Sequence, residues 1–199
     1  MKERSILFTG TNVRSILEGR KTHTRRIVKD TGLYAVDKKI HGIDTAKREL
    51  KALATQCPYG KPGDRLWVRE TFRFFDSSVE CSCYDDCKCA SLNGKPVYRA
   101  DGDLDSIWKP SIYMPRAASR ITLEIVSVRV ERLQDITEED AKAEGVTIGE
   151  DRSYSHAEHG LAYTPHRMAY TILWESINGV GSWDLNPLVW VIEFRRVKP

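Results

Sequence analysis

No stretch of this sequence approaches the roughly 18 consecutive apolar residues that a membrane-spanning helix needs. The opening MKERSILFTGTNV also lacks the apolar segment of roughly 7–15 residues that marks a secretory leader, so the sequence predicts a cytoplasmic chain with no membrane partner. An excess of one charge is missing too. Lys and Arg total 31 against 28 Asp and Glu, and the net +3 is too small to require a nucleic-acid partner by itself. Collagen-like, repeat-fibre and disorder-prone compositions are likewise absent. What remains is ordinary globular material, 41% hydrophobic and 30% charged over 199 residues, enough for one domain with a real core.

Hydrophobic periodicity places the elements. RSILFT at 4–9 reads as a short strand, and NVRSILEGR at 12–20 as a short helix with Thr11 or Asn12 as cap, Val13, Ile16 and Leu17 on its apolar side and Gly19 as its stop. KTHTRRIV alternates like a strand, with Thr22, Thr24 and Arg26 on one face and His23, Arg25 and Ile27 on the other. Residues 29–57 show no clean period and read as decoration, although DTAKRELKALA can form a helix with a thin stripe of Ala46, Leu50 and Leu53. Lys61-Pro62-Gly63-Asp64 fits a type II turn into the strand RLWVRETF, whose inward series is Leu66, Val68, Glu70 and Phe72.

Further along, the apolar face Ile121, Leu123, Ile125 switches to Val126, Val128, Val130, the phase change that a β-bulge produces. Thr137 and Asp140 open the acidic helix of ITEEDAKAEG, which stops at Gly145. Thr164-Pro165 begins a longer helix with Met168, Ala169, Ile172, Leu173 and Ile177 as its expected core stripe. LVWVIEFRRV then reads as a strand with Leu188, Trp190, Ile192 and Phe194 facing one way. With no repeated βαβ unit, this order predicts the α+β class, as a small mixed barrel with flanking short helices. The whole of 1–199 reads as a single domain with insertions at about 29–57, 73–111 and 147–163.

Five cysteines are present, and Cys81, Cys83, Cys87 and Cys89 fall within one short segment. In a reducing compartment such a cluster suits a tetrahedral thiolate zinc site across a tight turn, against free thiols or a disulfide. A zinc there would be structural, stapling the inserted hairpin. Cys57, alone, reads as a buried free thiol. His156, His159 and His166 match no strong zinc spacing and read as solvated.

GRKTHTRR at 19–26, KPGDRLWVRE at 61–70, ITEEDAKAEG at 136–145 and VWVIEF at 189–194 together resemble the ASCH domain, a member of the PUA-like superfamily. MPRAASRITLEI and LWESING are similar to its longer members, often encoded in phages and prophages. The resemblance covers roughly residues 12–28, 60–72, 112–146 and 165–197 and leaves the cysteine cluster outside. It implies a small PUA-like β-barrel with a cleft, a bacterial host cytoplasm, and RNA, nucleosides or modified bases as substrates. Some small members of the family are amidohydrolases that remove the acyl group from N4-acetylcytidine, and another branch is described as a ribonuclease. The amidohydrolase pattern falls here on Lys21, Thr24 and Glu144.

Amide hydrolysis at a nucleobase needs a nucleophile, a proton acceptor and a donor to the leaving amine. Thr24 suits the first role, Lys21 the second if burial or nearby cations lower its pKa, and Glu144 the third, with no catalytic cofactor. Lys21 and Thr24 would point to opposite faces of a regular strand, so a shared site requires a break between them. The plainer reading of this basic segment is a phosphate-binding or solvated patch, which leaves a non-catalytic RNA or modified-base binding module, or a ribonuclease, as alternatives. Arg26, Arg69, Glu70, Arg116, Ser119 and Arg120 are candidates for substrate contacts. Glu70 is preferred over Arg69 in a cleft because a charge on an inward series needs a reason, pairing with an arginine being the bland one. Arg116 and Arg120, flanking Ser119, would hold phosphate through forked donors or else be solvated strand-end arginines.

Overall fold

In the computed structural model, which describes residues 1–29, 43–80, 91–102, 107–148 and 165–197, five strands form one mixed sheet. In chain order they are β1 (Glu3–Leu7), β2 (His23–Ile27), β3 (Arg65–Arg69), β6 (Thr122–Arg132) and β7 (Leu188–Val197). In space the order is β1-β3-β6-β7-β2, with β1 parallel to β3 and every other pair antiparallel. A two-stranded ribbon, β4 (Phe72–Phe74) with β5 (Pro96–Tyr98), stands beside it. The helices are α1 (Gly10–Leu17), α2 (Ile43–Ala54), the one-turn α3 (Ser77–Glu80), α4 (Glu138–Ala143) and α5 (Pro165–Asn178).

The class is thus α+β. Among the described strands the ladders run from β1 to β2 and no pairing between those two is present. Between them reaches Arg26, whose Nη2 donates to the Leu7 carbonyl at 2.5 Å while its guanidinium lies 5.3 Å from the Phe8 ring centroid. The expected turn at 61–64 is present: Asp64 N donates to the Lys61 carbonyl at 2.9 Å, and Gly63 supplies φ +87°. The buried Asp64 carboxylate accepts from Lys2 N at 2.7 Å and so sets β1 beside β3.

The sheet is buried on both faces along β7. Trp190, Ile192 and Phe194 enter a core with Ile6, Leu66, Val68, Leu123 and Ile125, while Val189 and Val191 pack with Leu133, Tyr170, Trp174 and Trp183. Fully burying side chains of this kind stabilises by roughly 1.5–3 kcal/mol each. The bulge falls where the apolar phase changes: Ile125 pairs with Phe194 and Ser127 with Glu193, which leaves Val126 unpaired. Val126 is itself 44% exposed, so the core series is Ile121, Leu123, Ile125, Val128, Val130, without it.

Three other expectations are corrected. The tail of the stretch read as decoration carries Leu53, 1% exposed in the main core, with Leu50 and Ala54 packed against it and a buried, free Cys57 following. The returning arm of the 73–111 insertion sends Ala100 into the same core. On α5 the buried positions are Tyr170 and Trp174, one turn apart, whereas Ile172 and Ile177 are exposed. The Tyr170 ring meets Trp183 at 6.4 Å and Trp174 at 6.2 Å, these rings fill the space on the Val189 side of β7, and the isoleucines turn outward. The Thr164 cap lies outside the described residues, as do 149–163 of the third insertion.

Candidate active site

α1 begins earlier than its sequence suggests because Thr9, not Thr11 or Asn12, is the cap, its hydroxyl accepting from Asn12 N at 3.4 Å. The helix ends at Gly19, φ +78°, and the next two amides, of Arg20 and Lys21, both donate to the Ser15 carbonyl. Lys21 forms an isolated antiparallel bridge with Glu144, and Thr22 N donates to the Ala143 carbonyl at 2.8 Å. Only at His23 does β2 begin. The chain is therefore broken between Lys21 and Thr24, the condition that a shared site imposes.

Glu144 is delivered by α4. Thr137 Oγ1 caps that helix by accepting from Asp140 N at 3.1 Å, and Gly145 turns the chain with φ +79°. A side chain at Gly145 would place its Cβ 2.8 Å from Lys21 Cβ and 2.9 Å from Ser15 Cβ, so glycine is what lets α4 approach closely enough. Ser15 Oγ and Arg20 Nη1 both donate to the Gly145 carbonyl, at 3.1 and 2.8 Å.

The pair so formed is deeply buried, with both residues 3% exposed. Lys21 Nζ donates to Glu144 Oε2 at 2.6 Å and to the Glu144 carbonyl at 2.8 Å. Arg25, whose side chain has no exposed surface, donates to Glu144 Oε1 at 3.1 Å, to Glu131 Oε1 at 2.7 Å and to Asp140 Oδ2 at 2.8 Å. Arg129 closes the far end on Glu131 and Asp140. Lys21, Arg25 and Arg129 thus face Glu131, Asp140 and Glu144, a charge-balanced set that runs from the buried Lys21–Glu144 pair out to the partly exposed Arg129. Burial pushes the Lys21 ammonium below its ordinary pKa, against the pull of Glu144 and with help from Arg26 and Arg25. Burial alone would raise the Asp140 carboxyl, yet Arg25 and Arg129 bring it below the usual range. Burial also raises the Tyr170 hydroxyl well above the phenol value, and Glu144 adds to it.

Lys21, Thr24, Arg25, Arg26, Glu144 and Tyr170 line one cavity of about 290 Å³, walled by Leu173 and Trp174 from α5. This is the lower end of the range for small-molecule sites, polar on the β2 side and aromatic on the α5 side. Thr24 is 4% exposed. Lys21, Thr24 and Glu144 are thereby brought together.

The remaining candidates are placed differently. Glu70, 1% exposed, accepts two bonds from Arg120, at 2.9 and 3.0 Å, which is the bland alternative for it. Arg120 also holds Asp101 at 2.7 Å and stacks 3.9 Å from the Tyr98 ring. Arg116 forks onto Glu3, Arg69 Nε donates to the Met114 carbonyl, and Ser119 Oγ to the Val68 carbonyl. None of these four, Arg69, Arg116, Ser119 or Arg120, lines the Lys21 cavity, and Arg116 and Arg120 already have carboxylates in their forks. Trp183 is buried against Tyr170, and His166 pairs with Glu138 at 2.6 Å.

No family model, curated protein or solved structure matches this chain. Among the described residues no group of histidine, cysteine or carboxylate side chains is set to hold a metal, and no helix is long and apolar enough to cross a membrane. Cys81, Cys83, Cys87 and Cys89, the proposed zinc ligands, lie outside the described residues, as do His156 and His159.

Sequence reasoning counted Arg25 only as part of a basic cluster and put it on the face away from Thr24. In the structure both are buried, because the acidic side chains of β6 and α4 cover the face that Arg25 occupies. The usable signal was the pairing of two charge runs, GRKTHTRR and TEED, of opposite sign. Tyr170 lies outside the expected stripe of Met168, Ala169, Ile172, Leu173 and Ile177, of which Leu173 packs against the same cluster.

Proposed function

We propose that this chain is an ASCH-type hydrolase of PUA-like ancestry that acts on an acylated nucleobase, of the N4-acetylcytidine class. The observation that carries this reading is the buried Lys21–Glu144 pair, 2.6 Å apart, on the wall of a cavity that Thr24 also lines. Burial favours the neutral amine at Lys21, which a general base requires. Thr24 Oγ attacks the acyl carbon as Lys21 takes its proton, and the arginines beside the cavity stabilise the oxyanion. Glu144, hydrogen-bonded to Lys21, relays that proton to the exocyclic nitrogen, so that the C–N bond breaks and the free amine leaves. Water then cleaves the threonyl ester and releases the carboxylic acid.

The purified protein is expected to release cytidine and acetate from N4-acetylcytidine, and Thr24→Ala, Lys21→Ala and Glu144→Gln to abolish release. No turnover on acylated nucleosides, with folded protein, overturns the hydrolytic reading. A binding module for RNA or a modified base is the second reading, favoured by Lys21, Arg25 and Glu144 satisfying one another without a substrate. It predicts salt-sensitive affinity without product. Cleavage of RNA in EDTA marks the third alternative, a ribonuclease.

A further inference from the structure

A second cavity, about 600 Å³, opens between the end of β1, the start of α1 and the segment around Arg99. Its charged lining consists of Arg14, Arg26, Arg99 and Glu70, and the Glu70 carboxylate is held by Arg120 outside that lining. The guanidinium groups come from α1, β2 and the turn after β5, so the fold gathers positive charge from three separate elements around one concavity. Arg14 Nη1 donates to the Ala100 carbonyl at 3.2 Å and Arg26 Nη2 to the Leu7 carbonyl, bonds that fix both side chains at the cavity wall.

Arg26 lines both cavities. Its guanidinium lies 5.3 Å, and Lys21 Nζ 5.8 Å, from the centroid of the same Phe8 ring, so the second cavity adjoins the first across this arginine. We infer that the second cavity is a phosphate subsite, held by Arg14, Arg26 and Arg99, for the phosphate attached to the nucleoside whose base enters the Lys21 cavity. The inference rests on the nucleobase reading above and narrows its substrate class to a nucleotide, either a 5′-monophosphate or a phosphodiester within RNA. Planar forked donors suit phosphate oxygens, and one charge-assisted contact of this kind is worth about tenfold or more in affinity.

The test has a binding arm and a turnover arm. Calorimetry at low salt with cytidine, cytidine 5′-monophosphate and a short single-stranded RNA as probes is expected to show the phosphorylated ligands binding at least about tenfold more tightly than cytidine. In Arg14→Gln and Arg99→Gln that advantage falls towards one, and Arg14→Lys restores part of it if charge is the cause. In turnover, kcat/KM for the N4-acetylated 5′-monophosphate or oligonucleotide should exceed that for the N4-acetylated nucleoside, and the better of the two identifies the phosphate's source. Equal binding of cytidine and its monophosphate, or an advantage untouched by both glutamine variants, overturns the subsite even if the nucleoside is hydrolysed. Arginine-dependent preference for the monophosphate without turnover of any substrate retains the subsite and removes the hydrolytic reading alone.

Discussion

Replacing Lys21 by methionine keeps most of the side chain's length and removes only the ammonium. Two hydrogen bonds disappear, at 2.6 and 2.8 Å, and Glu144 remains 3% exposed with a single cationic neighbour, Arg25, at 3.1 Å. Orphaning one member of a buried pair costs about 3–5 kcal/mol. The surviving Arg25 contact places Lys21→Met at the low end, about 3 kcal/mol, which for a chain of this size is a fall of roughly 6–12 °C in Tm. Glu144→Gln leaves Lys21 and Arg25 side by side without their carboxylate and is expected to cost a similar amount, about 3 kcal/mol. The double variant removes both charges at once. It should lose about 3–4 kcal/mol rather than the summed 6, a coupling of about 2–3 kcal/mol. Urea unfolding of the four proteins at neutral pH measures the cycle. Additivity within about 0.5 kcal/mol would show that the two side chains do not form one buried unit, and the reasoning about the site would fail with it.

The pH dependence has a definite sign. Between the lowered pKa of Lys21 and the ordinary value of 10.5, the folded chain binds fewer protons than the unfolded one. Wild-type stability relative to Lys21→Met therefore rises with pH across that window and is flat below it, which paired urea midpoints will test. In the hydrolytic reading kcat/KM rises through the same lowered pKa, and a profile that rises only near the ordinary lysine value contradicts Lys21 as base. Arg25→Met should cost at least about 3 kcal/mol because three carboxylates lose a shared partner; Arg25→Lys should rescue little, since one ammonium does not span Glu131, Asp140 and Glu144. Thermal unfolding decides it, and full rescue by lysine would refute the fork. Deleting Val126 is expected to change stability by no more than about 1 kcal/mol, because the deletion restores unbroken alternation from Ile121 to Val130 in the register β7 already reads. Loss of the folded state on that deletion would mean the bulge itself is required.

The bulge was legible because a phase slip in an apolar series is a local signal, confined to a few residues around Ile125 and Val126. The apolar stripe of Leu50 and Leu53 was legible too, but not its place in the main core, because the helix follows a stretch with no period and its burial depends on partners from β6, distant in sequence. On α5 the stripe expected through Met168, Ala169, Ile172, Leu173 and Ile177 gives way to Tyr170 and Trp174, with Leu173 beside them, because Trp183 and the second buried face of β7 set the contact and a single-helix pattern contains neither. The site divides in the same way. Lys21, Thr24 and Glu144 came from the resemblance, and the break before His23 could be deduced from their spacing. The roles of Arg25, Arg129, Glu131 and Asp140 depend on which strands adjoin, and only the register of β2 and β6 on β7 brings those charges together.

The position of β7 between β6 and β2 also governs when the candidate site is assembled. The strand is synthesised after β2 and β6, yet it is the only ladder partner of β2 among the described strands, with Thr24 opposite Ile192 and Arg25 opposite Val191. A nascent chain that has not yet delivered β7 therefore carries β2, with Thr24 and Arg25, without its ladder, and its unpaired strand edges are open to other chains. The site is completed in one late step, so the hazard of prematurely terminated products is aggregation through those open edges.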